Sequence, residues 1–426
     1  MVIRAFRLTE VDLVLDDTLM RRSGKKVALG SMHADPLLKN GGRPFISYGH
    51  VFVVLAVHIT APLIAKTGWA LPVLFRLFEG SRRGGRADCP SDRQRAASRR
   101  YHGKATRERL RLIDRKVVDG RLVECAPEPD SGSPPRELRP TKLQLGTEMV
   151  LRIARGFPKL KFRLIADHLY NGARVLRDIL EAVDNVSIIV RGRPNAALYE
   201  LPPPRRPGQR GRPRVRGKRL PNPEQWAEQN ADAFRRVVVP MYGKQVEVLV
   251  ASFLGMAYRS LPGRLLRYVI VKDPGGIYKP DYFISTDIDL PDEEVLAAYS
   301  RRWPLERAFQ ESKQKLGIQD PQTQLPASVR RCAPFGMLLY SLVVFWYVLK
   351  GHRLAASLPG FRDPWYPKTA RPSFSDMLAT MRRLSWAERF IDPPCGDPSK
   401  QKSNGENEDS RAARLAAYLA RVVAAA

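Results

Sequence analysis

The chain has 426 residues, 44% of them hydrophobic, which excludes a wholly disordered protein and leaves room for roughly two to four domains or one large core. Lys and Arg outnumber Asp and Glu by 72 to 43, a net charge of +29 with a pI near 10.4. A small-molecule enzyme has no need of that balance; a polyanionic partner does, and nucleic acid is the commonest.

The N-terminus (MVIRAFRLTEVD) has no apolar h-region and no small-residue cleavage site, so a cytoplasmic, nucleoid-associated protein is expected. The first 75 or so residues read as three antiparallel strands: VDLVLDD (11–17), KKVALGS (25–31) and the long β-branched run GHVFVVLAVHI (49–59). Residues 81–116 hold 13 Lys/Arg against 4 Asp/Glu, with a possible helix at 107–117, and 126–140 form a Pro-, Glu- and Ser-rich linker. A helix follows at 141–157, with Leu145, Met149, Ile153 and Phe157 on one face. KFRLIAD (161–167), ARVLRDILEAV (173–183) and VSIIV (186–190) make a strand–helix–strand unit, which implies parallel pairing.

Residues 205–219 contain eight basic side chains and no acid, and either track phosphates or form a solvated loop. Then come three β-rich runs, 246–258, 265–273 and 281–286. The stretch 291–317 is strongly helical, with a kink or restart expected at Pro304. The apolar run 333–349 is flanked by Arg330, Arg331 and Lys350; it falls short of a membrane span and reads as a core helix. A polar, disordered stretch (395–410) and an Ala-rich helix are expected at the end. The four Cys (89, 125, 332, 395) lack CxxC spacing, and the six His (33, 50, 58, 102, 168, 352) lack ligand spacing, though His168 adjoins Asp167.

Acids stand at element ends. Asp16 and Asp17 close the first strand, Asp167 closes the fourth, and Glu306 lies in the long helix. Carboxylates there are costly to bury unless paired or bound to a cation, and Mg²⁺ is the usual remedy for three together. In that helix Tyr299, Arg302, Glu306 and Lys313 stand at offsets 0, 3, 7 and 14. On an ideal helix they share roughly a 60° arc. Leu296, Trp303, Phe309 and Leu316 are left to serve as core.

With VLDDTLM (14–20), LIADHLYNG (164–172), AALYELPPP and GRPRVRGKRLP (196–221), and YFISTDIDLPDEEVLAAYSRRWPLERAFQESKQKLG (282–317), the chain resembles DDE-class insertion-sequence transposases of the group with the Tyr-Arg-Glu-Lys signature. The resemblance implies an α/β fold: a ribonuclease-H-like, mixed five-stranded sheet flanked by helices, with a β-rich insertion before the last catalytic helix. It implies a catalytic core in two parts, 1–200 (with the basic loop 81–140) and 291–350. Between them lies the Arg/Pro-rich loop and insertion, 201–290, and after them a partly disordered tail, 351–426.

The resemblance further implies that Asp17, Asp167 and Glu306 are the catalytic, metal-binding acids, Asp17 being preferred to Asp16 because the family's first acid precedes a Thr. Tyr299, Arg302 and Lys313 are then DNA-binding, and the cofactor is a pair of Mg²⁺ ions, for which Mn²⁺ can substitute. The partner is double-stranded DNA, both transposon ends and target, bound by a homodimer with no membrane involved. Related proteins carry a helical region before the first Asp, reached here at residue 17, so an N-terminally truncated chain is expected. The alternative function is a remnant that only binds DNA. Arg21, Arg22, Lys25 and Lys26 either serve a metal-bound phosphate or form a charged turn.

Overall fold

The computed structural model describes residues 5–6, 8–23, 26–40, 43–61, 65–79, 115–118, 121–124, 140–205, 211–357 and 371–391. The chain divides into two units, one of residues 79–141 and one of residues 1–78 with 142–426. In the smaller unit the described element is an antiparallel pair, with the labels β5 and β6 kept for Arg115–Val118 and Arg121–Glu124. The first of these is strand where the sequence suggested the end of a helix over 107–117; residues 107–114 lie outside the described residues.

The larger unit is built on one mixed sheet with helices on both faces. Its centre is β1 (Glu10–Arg21), which pairs antiparallel with β3 (Arg43–Ala61) and parallel with β7 (Lys161–Ala166). β7 in turn pairs parallel with β8 (Val186–Arg191), and β4 (Ala65–Phe78) lies antiparallel on β3. These strands stand in the order β4-β3-β1-β7-β8, a mixed sheet of the α/β class that the sequence implied.

Two things differ from the expected five strands. β2 (Ser31–Asn40) pairs with the first part of β3. β12 (Asp281–Ser285), β11 (Leu266–Lys272), β10 (Lys244–Gly255) and β9 (Arg235–Met241) continue the sheet beyond β8, giving ten strands. β12 docks antiparallel on β8, Ile284 opposite Val190, so the insertion covers what would otherwise be a row of unpaired backbone groups.

Of the run 25–31 expected as strand, residues 26–30 are irregular and the strand begins at Ser31. Asp35 sets β2's place: its buried carboxylate accepts from Arg21 at 2.7 Å and from Ser47 at 2.8 Å. β4 escaped the sequence reading because Gly68 (φ +70°) and Pro72 interrupt it. Pro72 is tolerated because β4 is an edge strand whose register shifts there.

Alternation puts both faces of the central strands to use. In β7, Phe162, Leu164 and Ala166 pack with α1 (Lys142–Gly156) and α2 (Ala173–Ala182), while Ile165 packs with the helix Asp292–Ser300 on the other face. α4 (Asp292–Ser300) and α5 (Trp303–Lys315) are separate helices, because Pro304 lacks the N–H needed to continue α4. A short helix α3 (Pro223–Gln229) precedes β9 and is closed by a capping box between Asn222 and Gln225.

α6 (Pro326–Trp346) runs through a π turn (Tyr347–Gly351) into α7 (His352–Ser357). The span 326–355 is long and apolar enough to cross a membrane; one side of it packs in the core, while Phe335, Leu338 and Leu342 are exposed. Tyr340 is fully buried, and the Ser341 hydroxyl donates to the Pro72 carbonyl at 2.8 Å. α8 (Phe374–Ile391) stacks Phe374 on Tyr340. The expected stretch at 395–410 and the terminal helix lie outside the described residues.

Candidate functional site

β1 and β7 run parallel with Leu15 opposite Ala166, so Asp16 falls beside Asp167 where β7 ends. The two acids expected to close the first strand lie within it, because β1 runs on to Arg21 along β3. Asp12, Val14 and Asp16 share one face of β1 and Leu13, Leu15 and Asp17 the other. The neighbouring acids therefore part company. Asp16 faces the α4–α5 side, where the Arg302 guanidinium donates to it at 2.5 Å. Asp17 faces α1, where Lys142 donates to it at 2.7 Å and Tyr170 at 3.5 Å.

Arg302 caps the start of α5 and also donates to Glu306, one turn on. One guanidinium thus gathers Asp16 and Glu306. Burial pushes the Asp16 carboxyl up to about 7; the Arg302 charge opposes this, while Asp17 and Asp167 add to it. Asp167 caps the short 3₁₀ turn His168–Tyr170, accepting from the His168 backbone N–H at 2.5 Å and hydrogen-bonding its ring at 2.9 Å. Among the described residues, no three His, Cys, Asp or Glu side chains stand so as to enclose a metal ion; Arg302 lies between two of the acids.

The acid choice made from the sequence is thus not the one the geometry favours. Asp17 lies on the far face from Arg302 and Glu306, and Asp16 lies with them. Tyr299 ends up on α4 rather than on the helix of Glu306; it is buried against Phe283, and Arg302 lies over its ring at 5.9 Å. Burial pushes its hydroxyl up to about 12.

Lys313 is turned toward β1: its ammonium donates to the Leu19 carbonyl at 2.9 Å, and burial lowers its pKa to about 8. Arg21 is paired with Asp35 and Arg22 with the Ile318 and Gln319 carbonyls, which fits the charged-turn alternative. Trp303, expected in the core, is half exposed and meets Tyr242 edge to face at 6.3 Å; Phe309 is buried as expected.

Behind the acids lies a cluster that sequence reasoning missed. Arg301 donates to Asp12 at 2.5 Å and to Glu294 at 3.1 Å. The buried Arg163 bridges Glu10 at 2.9 Å, Glu294 at 2.8 Å and Asp12 at 3.6 Å. Consecutive arginines at the α4–α5 corner therefore hold two acids four residues apart on β1. The period-2 placement of Asp12 and Asp16 was a visible signal for it.

Against known proteins, the family described as DDE superfamily endonuclease matches residues 1–245. Among solved structures, the piggyBac transposase synaptic complex with hairpin DNA aligns over 94% of this chain at 11% identity and a TM-score of 0.36. The chain spans 59% of that protein's length. No curated protein matches.

Proposed function

The chain belongs to the DDE superfamily of endonucleases, and from that premise we propose that it is a transposase that cleaves transposon-end DNA and joins the freed 3′-hydroxyl to target DNA. The reading rests on one observation above the rest: Asp16 and Glu306 are drawn together by Arg302 at the strand end where Asp167 also lies.

We assign the acid set as Asp16, Asp167 and Glu306. The donor chemistry fits Mg²⁺, with Mn²⁺ as substitute, since three carboxylates are hard oxygen ligands and a divalent cation would offset the cost of burying the Asp16 charge beside two other acids. Bound there in a pair, such ions supply a nucleophile of lowered pKa and neutralise charge on the leaving oxygen.

The protein's own contribution is positioning. The two Asp side chains sit on adjacent rigid strands, and Glu306 is one helical turn from Arg302. The guanidinium fork of Arg302 matches phosphate oxygens, so a scissile phosphate can take it over from the two acids. Tyr299 supports Arg302 from beneath through its ring. Lys313 fastens α5 to β1 at Leu19 rather than reaching DNA. Duplex DNA, as transposon end and target, and a second copy of the chain are the partners of this reading.

The test is a nicking assay on supercoiled and linear duplex with Mg²⁺, Mn²⁺ or chelator. Cleavage that needs the metal and disappears in Glu306→Gln supports the proposal. Tight DNA binding with no cleavage under any metal would leave only the binding function.

A further inference from the structure

Residues 211–219 (GRPRVRGKR) carry five basic side chains and no acid, and the acid site makes no use of them. They form the outgoing limb of an arm with a built base. Glu200 donates its backbone N–H to the Lys218 carbonyl at 2.9 Å and accepts that of Gly217 at 3.0 Å, and Leu220 donates to Leu198 at 2.9 Å. Gly217 permits this closure: a Cβ there would stand 2.4 Å from the Leu201 carbonyl oxygen. Arg216 locks the base further, lying over the Tyr199 ring at 4.6 Å and the Tyr258 ring at 5.7 Å, and donating to the Tyr199 hydroxyl at 2.9 Å.

Above that base residues 211–215 are irregular and exposed. Arg212 and Arg214 have no protein partner among the described residues, and Pro213 between them has no N–H to satisfy. Gly211 has φ +93°, and a Cβ built on it would meet nothing within 4 Å. Packing inside the chain therefore places no demand on that glycine.

We infer that Gly211-Arg212-Pro213-Arg214 is a minor-groove reader that enters A·T-rich duplex DNA. The inference rests on the proposed DNA-binding function and goes beyond its phosphate contacts. The minor groove of B-DNA is about 6 Å wide, too narrow for a helix, and it admits only a thin, irregular or extended strand. Gly and Pro give the segment that thinness, with no side chain at the bend and no unpaired amide donor between the arginines. A narrow A·T groove has a deepened negative potential that draws in guanidinium groups. Its floor offers only acceptors, adenine N3 and thymine O2, whereas G·C pairs add an amino donor that would face the arginines. The stacked base supplies what a mobile basic tail lacks: the tip is presented from a fixed ladder, with its ordering cost partly met before binding.

The experiment titrates the full chain, by fluorescence anisotropy, on two duplexes of equal length, one with a central A·T tract and one entirely G·C. The A·T duplex should bind about tenfold more tightly or better. A minor-groove-binding polyamide should erase that advantage. The double variant Arg212→Ala/Arg214→Ala should bind both duplexes alike, with a salt slope lower by about two and an unchanged melting temperature. Equal affinity of the native chain for the two duplexes overturns the inference and leaves general DNA binding standing, as does an A·T preference that survives the double variant. Failure to bind either duplex overturns the DNA-binding function itself.

Discussion

Arg302 and Asp16 are joined across 2.5 Å, a guanidinium at the start of α5 to a carboxylate midway along β1, although 286 positions separate them in the chain. The bond puts Asp16, and not its neighbour, beside Arg302 and Glu306, and is the ground on which we propose Asp16 for the acid set. Asp16→Asn should abolish metal-dependent cleavage. Asp17→Asn should leave most of it and instead weaken the tie to Lys142, at a cost of about 1 kcal/mol in stability. Cleavage assays with thermal melts on the two variants separate these outcomes. An inactive Asp17→Asn with an active Asp16→Asn would restore the order implied by the family resemblance.

Arg302 and Lys313 should differ in DNA binding, although both stand on α5. Arg302→Ala should lower the slope of log affinity against log salt by about one, through loss of one phosphate contact. Lys313→Met should leave the slope unchanged and lower stability by about 1–3 kcal/mol, because the Leu19 carbonyl loses its donor. Salt titrations and urea melts measure the two effects.

The cluster behind the acids is expected to be expensive to break. Arg163 is only 7% exposed and faces three carboxylates, so Arg163→Met leaves Asp12 poorly compensated and should cost about 3–5 kcal/mol. Urea denaturation gives the figure. Asp12→Asn combined with Arg163→Met should cost less than the sum of the single changes, since the partners share one network.

Two histidines on β3 make stability depend on mild acid. Burial lowers the pKa of His50 and of His58 below the ordinary 6.5; their bonds to the Ala28 and Thr67 carbonyls act the other way. A group with a depressed folded pKa binds fewer protons folded than unfolded. Their stabilising contribution is therefore complete above about 6.5 and is lost as pH falls below it. Melting temperature should drop from neutral pH toward pH 5 or so, and less steeply in His58→Gln than in the native chain.

Much of the fold was legible, because strands buried on both faces and helices with one apolar face carry clear periods. β7, β8, α1 and α2 all lie within a residue or so of where those periods put them, and β1 starts there but runs four residues past Asp17. β4 was missed because Gly68 and Pro72 break its pattern, and only pairing with β3 explains their tolerance. The site was half legible. Element ends pointed to the acids, yet alternation could not tell Asp16 from Asp17 in a strand whose two faces are both covered. Arg301 and Asp12 lie 289 residues apart, a pairing no local pattern expresses. Ideal helical geometry failed for Tyr299 because the helix ends before Arg302.

The paired arginines at that corner also act as a check on assembly. Asp12 and Asp16 lie on the same side of β1, and a slip of one residue against β3 or β7 would turn both toward α1. Slipped one way, the strand would set Val11 and Leu15 before Arg301 and Arg302 and strand both cations; slipped the other way, Arg302 would meet Asp17 but Arg301 would face Leu13. Either misregistered chain therefore leaves at least one arginine without its acid. The site forms only in the register that the corner accepts, so proofreading of the central strand and completion of the acid cluster are one event.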